Sequence, residues 1–213
     1  NYAQGNTDEM YRLTFSAAKF SYLLMLAFAL PICFEIDTIL NLWLGKSYPK
    51  DTNIFVIIIL CTYLMETFHS SSLMAFHAIG KIKLGNIVGG TLMILALPLS
   101  YIALKLGAPA YSVFLVIFFV NFTQMFWGWI VVHRYVKFSY IKLIHLVYFP
   151  TIIITLITMV VPLVYRILMS EGILRFISSS ITIELVLMIC VYYIAMNKEE
   201  REKAVSIIKN KLK

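Results

Sequence analysis

Six apolar runs, each long enough to cross a bilayer, constrain this chain more than any other feature it carries. A hydrocarbon core about 30 Å thick takes roughly 20 apolar residues of α-helix. Runs of that length fall at 14–34, 53–78, 86–105, 110–132, 143–166 and 173–196. Polar or helix-breaking segments part them: Leu44-Gly45-Lys46-Ser47-Tyr48-Pro49, Gly80-Lys81-Ile82-Lys83-Leu84-Gly85, Gly107-Ala108-Pro109, His133 to Lys142, and Ser170-Glu171-Gly172. The runs are continuous rather than alternating, which predicts helices and not the strands of a barrel. The predicted fold class is therefore all-α: a polytopic membrane protein with six transmembrane helices.

Composition excludes the soluble alternative. Apolar residues make up 61% of the 213 and charged residues 14%, with a mean hydropathy of +0.84, whereas ordinary soluble domains carry about 25% charge. A net charge of +7 in a soluble protein points to nucleic acid, but here the 18 Lys and Arg sit between apolar runs. No nucleic-acid partner is expected; membrane lipids are. If the chain begins in the cytoplasm, thirteen cations fall inside and five outside, the five being Lys46, Lys50, Lys105, Arg166 and Arg175. The positive-inside rule then predicts that both termini are cytoplasmic.

The two ends differ in kind. Asn6-Thr7-Asp8-Glu9 places a capping residue three before a Glu, so residues 1–13 read as a cytoplasmic loop and helix start. The stretch 197–213 sets Ala204, Val205, Ile207, Ile208 and Leu212 among Lys and Glu, which fits an amphipathic helix on the inner leaflet or a solvated tail. The chain opens on Asn1 in a polar stretch, which is expected of a piece of a longer protein.

Inside the spans, polar residues are few and each needs a partner or a wet surface. Glu66 is the sharpest case, since a carboxylate facing lipid costs at least about 2.5 kcal/mol. Tyr63, Thr67, Ser70 and His77 share or flank its helical face. Asn121 and Gln124 lie one turn apart, with Gly128 on the same side, as an interhelical clasp or a substrate contact. Glu184 sits near the middle of the last span, and Lys19, about four residues inside the first run, either snorkels or lines a cavity. Gly85-Asn86-Ile87-Val88-Gly89-Gly90 gives a small-residue face for close helix packing, and Pro31, Pro98, Pro150 and Pro162 predict kinks.

No metal, cofactor or catalytic set is expected. His69 and His77 are eight apart with no third ligand, and Cys33, Cys61 and Cys190 share no metal-knuckle spacing. Nucleotide-binding and hydrolase motifs are absent, which excludes ATP-driven transport by this chain alone.

Tyr2-Ala3-Gln4-Gly5-Asn6 with Met10-Tyr11-Arg12-Leu13, Phe34-Glu35, Ile39-Leu40-Asn41-Leu42-Trp43-Leu44-Gly45, Gly80-Lys81-Ile82-Lys83 and Leu97-Pro98-Leu99-Ser100-Tyr101 resemble the C-terminal part of polysaccharide biosynthesis flippases. These are the O-antigen and exopolysaccharide transporters of the multidrug/oligosaccharidyl-lipid/polysaccharide exporter superfamily. The resemblance is strongest from Tyr2 to about Leu106. It implies that 14–134 holds four helices of the C-terminal lobe and 143–196 two additional ones, with the N-terminal lobe as the missing partner. It further implies movement of an undecaprenyl-pyrophosphate-linked oligosaccharide across the bacterial inner membrane by alternating access. On that reading Glu66, Lys19, Ser70, Asn121, Gln124 and Glu184 are the candidates for cavity lining or coupling, Glu66 pairing with Lys19 when the cavity is open to the cytoplasm. Two rivals remain: a drug/cation antiporter of the same superfamily, and a membrane-embedded cell-envelope glycan transferase or ligase using Glu66, His69 and His77 as acid and base.

Overall fold

A computed structural model describes residues 7–45, 48–135 and 139–211. The Tyr2-to-Asn6 motif, Lys46, Ser47, Lys137 and Leu212 fall outside them, as do the side chains of Ala204, Val205, Ile207 and Ile208, on which the amphipathic face of the tail rests. Among the described residues there is no strand, and the protein is an all-α, multi-pass membrane protein with six helices long and apolar enough to span.

The first span is α1 (Thr7–Phe34), followed by a short α2 (Ile36–Leu44). The next three are α3 (Thr52–Ala78), α4 (Ile82–Lys105) and α5 (Ser112–Tyr135). The fifth joins α6 (Tyr140–Leu143), a π-turn (Ile144–Tyr148) and α7 (Phe149–Leu168). The sixth joins α8 (Ile173–Cys190) to a π-turn (Val191–Ala195), after which comes α9 (Lys198–Lys211). The runs read from hydropathy are shorter than these helices at several ends, because helices extend beyond the lipid to reach their caps while apolar counting sees only the buried part. The segment after Glu35, expected as a loop, is helical in α2: Ile36 and Leu40, one turn apart, are buried while Leu42 and Trp43 point outward.

An even number of spans brings the start of α1 and the end of the sixth span to the same side, here called the terminal face; Glu35 and the start of α8 lie at the opposite face. Helix α1 occupies the centre. It packs on α3 along one flank and on the fifth and sixth spans along the other, with α5 behind α3 and α4 outermost. Aromatic rings bolt these layers together: Tyr22 stacks on Phe68 at 4.8 Å, Phe68 meets Tyr148 at 5.0 Å, and Phe15 meets Trp129 edge-on at 5.8 Å. Where α3 and α5 approach most closely, Gly128 lies against Ser72, and a Cβ on that glycine would meet Ser72 Oγ at 2.5 Å. Pro31, Pro98 and Pro162 lie inside their helices. Pro150, which cannot donate, follows a π-turn whose Phe149 N–H reaches back five residues to Ile144 O. Helix α4 stands apart, with only 6% of its apolar window buried inside this chain.

Candidate functional site

A polar groove opens between α3, α4 and α5, lined by Glu66, His69, Asn86, Asn121 and Gln124 together with Gly85, Gly89 and Gly90. Helical periodicity builds it. Residues 66 and 69 on α3, 85, 86, 89 and 90 on α4, and 121 and 124 on α5 recur at three- and four-residue steps, so each helix turns one polar or bare strip inward. The small-residue face of α4 is what lets it approach α3, since a Cβ on Gly85 would already press on Leu73 and Phe76 at 3.2 Å.

Gln124 is the clasp of the groove. Its Nε2 donates to the Gly89 carbonyl of α4 at 2.8 Å. Asn121 instead spends its amide on the Ile117 carbonyl of its own helix, at 3.0 Å. The hydroxyls of α3 behave likewise: Thr67 donates to Leu64 O, Ser71 to Thr67 O and Ser72 to His69 O. Such hydroxyls are satisfied within the helix and need no cavity. His69 differs, being 8% exposed with its Nδ1 lacking any hydrogen-bond partner. Glu66 is half-buried beside it, and its one hydrogen bond comes from Ser70 Oγ at a long 3.5 Å.

Of the six residues expected from sequence, the groove gathers Glu66, Asn121 and Gln124, with Ser70 exposed at its edge. Lys19 is elsewhere, which corrects the expected pairing with Glu66. It is buried near the terminal face, donating to the Ala195 carbonyl and, at 3.3 Å, to Glu200 Oε2. Sequence reading had no view of the end of the sixth span and the folded-back tail that supply these partners. Glu184 lies half-buried on α8, outside the groove.

Two charged constellations were not expected. At the opposite face Glu35 and Arg175 form an ion pair, both side chains under a tenth exposed. At the terminal face the Glu200 carboxylate gathers two donors besides Lys19, Ser16 Oγ at 2.7 Å and the Asn197 N–H at 2.9 Å, while its own backbone N–H donates in return to Asn197 Oδ1 at 2.8 Å. Asn197-x-x-Glu200 is a reciprocal cap of the same form as the motif at the chain start, and that spacing was legible. Burial alone pushes the Glu200 carboxyl up. The Asn197 N–H, the Ser16 hydroxyl and the Lys19 ammonium outweigh it and hold the group below its ordinary value.

Compared with protein-family profiles, with curated proteins and with solved structures, the chain finds no significant match.

Proposed function

We propose that this chain is part of a flippase for a lipid-linked oligosaccharide, an undecaprenyl-pyrophosphate-linked O-antigen or exopolysaccharide unit, in the bacterial inner membrane. On this reading both described ends lie in the cytoplasm, and a second lobe outside this chain completes the transport path. The observation that carries the proposal is the groove. Within helices apolar enough to span, a carboxylate, an imidazole and three carboxamides line one open groove. Groups of these types hydrogen-bond sugar hydroxyls as donors and acceptors. A mobile path between two helix bundles supplies the wet surface that such residues need.

Glu66 is the coupling candidate, because it is the carboxylate of the groove and the hydrogen bond it accepts from Ser70 is long. A drug/cation antiporter is the second reading, favoured by one feature: the groove lining contains Glu66 and neither Lys nor Arg. A glycan transferase draws less support, since His77 is exposed at the end of α3 and outside the groove.

Reconstituted vesicles separate the readings. The full protein carrying this chain should move a fluorescent prenyl-pyrophosphate oligosaccharide from one leaflet to the other, as read by lectin accessibility. Proton-driven loss of a preloaded cationic dye without lipid movement assigns the antiporter instead.

A further inference from the structure

A second cavity, remote from the groove, lies at the terminal face between α1, the fifth span and the end of the sixth. Its lining is amphiphilic: Arg12, Ser16 and Lys19 come from α1, and His145 with exposed Leu146 and Phe149 from the fifth span. Fifteen residues of helix, about 22 Å, separate Lys19 from Phe34. With Phe34 at one edge of a core about 30 Å thick, Lys19 lies about 8 Å inside the other, a depth from which a lysine side chain reaches the headgroups. A cationic pocket with an apolar wall at that depth matches an anionic group carried on a hydrocarbon chain.

The anionic place is already filled from within. Glu199 pairs with Arg12, and Glu200 bridges Ser16 and Lys19, one carboxylate oxygen to each. Both acids belong to the first turn of α9. We infer that Arg12, Ser16 and Lys19 at this cavity form a binding site for a phosphate group, with the Glu199 and Glu200 carboxylates of the tail helix α9 standing where phosphoryl oxygens bind. The inference does not depend on the flippase reading.

The chemistry favours exchange. A phosphodiester offers two anionic oxygens and two ester oxygens to the ammonium, the guanidinium and the Ser16 hydroxyl, against two oxygens from a carboxylate, and pyrophosphate offers more. What holds the carboxylates is tethering: α9 follows the sixth span by two residues, so their effective concentration at the cations is high. Removing that competition should expose the site. Glu200→Gln is the sharp variant, because Gln at this position keeps the reciprocal cap with Asn197 and so keeps α9 helical, while its charge is gone.

The test uses the 213-residue chain in a phosphate-free detergent and follows thermal unfolding against added phosphatidylglycerol, diacylglycerol and inorganic pyrophosphate. A ligand of the folded state raises Tm by mass action. Glu200→Gln should be half-saturated at about tenfold lower phosphatidylglycerol than the wild type. Diacylglycerol, with the same chains and no phosphate, should leave Tm unchanged. In Lys19→Gln/Glu200→Gln and in Arg12→Gln/Glu200→Gln the gain should vanish, with helical content unchanged by circular dichroism. Response to phosphatidylglycerol alone identifies a lipid headgroup; an equal response to pyrophosphate identifies free phosphate, and either supports the site. Equal half-saturation in wild type and Glu200→Gln, or a gain that survives loss of both Lys19 and Arg12 in turn, overturns it.

Discussion

Arg175 grips both oxygens of Glu35, Nε to Oε1 at 2.8 Å and Nη2 to Oε2 at 2.9 Å, tying the start of the sixth span to the end of the first. Helix α1 stops at Phe34, leaving its last carbonyls without helical partners. A second arginine from the fifth span answers one of them, Arg166 Nη2 donating to Phe34 O at 2.6 Å with its guanidinium over the Phe34 ring. These cations therefore hold the first span against the last two at the opposite face.

Removing one member of the Glu35–Arg175 pair should destabilise the fold strongly. Breaking a buried pair strands a charge and costs about 3–5 kcal/mol; the low end applies here because the pair sits at an end of the bundle, close to water. Arg175→Met and Glu35→Gln should each lower Tm in detergent by several degrees. The double variant, which strands no charge, should recover most of the loss. Single variants indistinguishable from wild type would make the pair energetically idle.

Gly128 makes a second structural prediction. A methyl at this position meets Ser72 Oγ at 2.5 Å and Ser72 Cβ at 3.2 Å, so Ser72 must turn its hydroxyl off the His69 carbonyl or α3 and α5 must part. Overpacking of this kind costs about 1–3 kcal/mol. Gly128→Ala should therefore unfold at lower temperature, whereas Gly90→Ala, whose Cβ meets open space, should be neutral or gain up to about 1 kcal/mol of helix propensity. Equal melting of the two variants contradicts the packing.

Span number and helical class were legible because lipid demands a length of apolar chain that no other context requires, and the runs around Leu23, Ile58, Leu95 and Val120 meet it. Gln124 was legible as a clasp because a carboxamide in lipid must find a partner. Its acceptor, Gly89 O, was not, since a backbone carbonyl has no signature in sequence. The partners of Lys19, and the pairing of Glu35 with Arg175, were not legible for one reason: each partner lies more than a hundred residues away in the chain. Of the missed features, only the Asn197-Glu200 cap left a local trace.

The Glu200 contacts carry a pH dependence of definite sign. The folded carboxyl is held below its ordinary value near 4.5, so its contribution is present above that value and is lost as pH falls through the lower, folded one. A spin label at Glu202→Cys, exposed on α9, should report an immobile tail at neutral pH and release at acid pH below about 4.5. Glu200→Gln should flatten that transition. Release centred above pH 6 would belong to another group.

The orientation expected from the charge count has a direct check. Lys50 precedes α3 at the opposite face and Lys83 begins α4 at the terminal face, and both are exposed. In intact cells a membrane-impermeant maleimide should modify Lys50→Cys and spare Lys83→Cys until the membrane is opened. The reverse pattern inverts the topology and moves the tail helix outside.

Glu66 gives the most discriminating functional prediction, because the groove leaves it so little structural work. Its one hydrogen bond, from an exposed Ser70 at 3.5 Å, is too long and too wet to matter for folding. Glu66→Gln keeps shape and hydrogen-bonding capacity and removes ionisation, so Tm should move by no more than about 0.5 kcal/mol equivalent. If protonation of this carboxylate drives the cycle, transport by the full protein in reconstituted vesicles should fall at least about tenfold, and its dependence on an imposed pH gradient should disappear. Gln124→Ala should do the opposite: it cuts the tie to Gly89 O and loosens α4, lowering Tm while leaving the pH-gradient dependence of the residual transport in place. Transport in Glu66→Gln that keeps both its rate and its gradient dependence would return the carboxylate to a passive role in the groove wall.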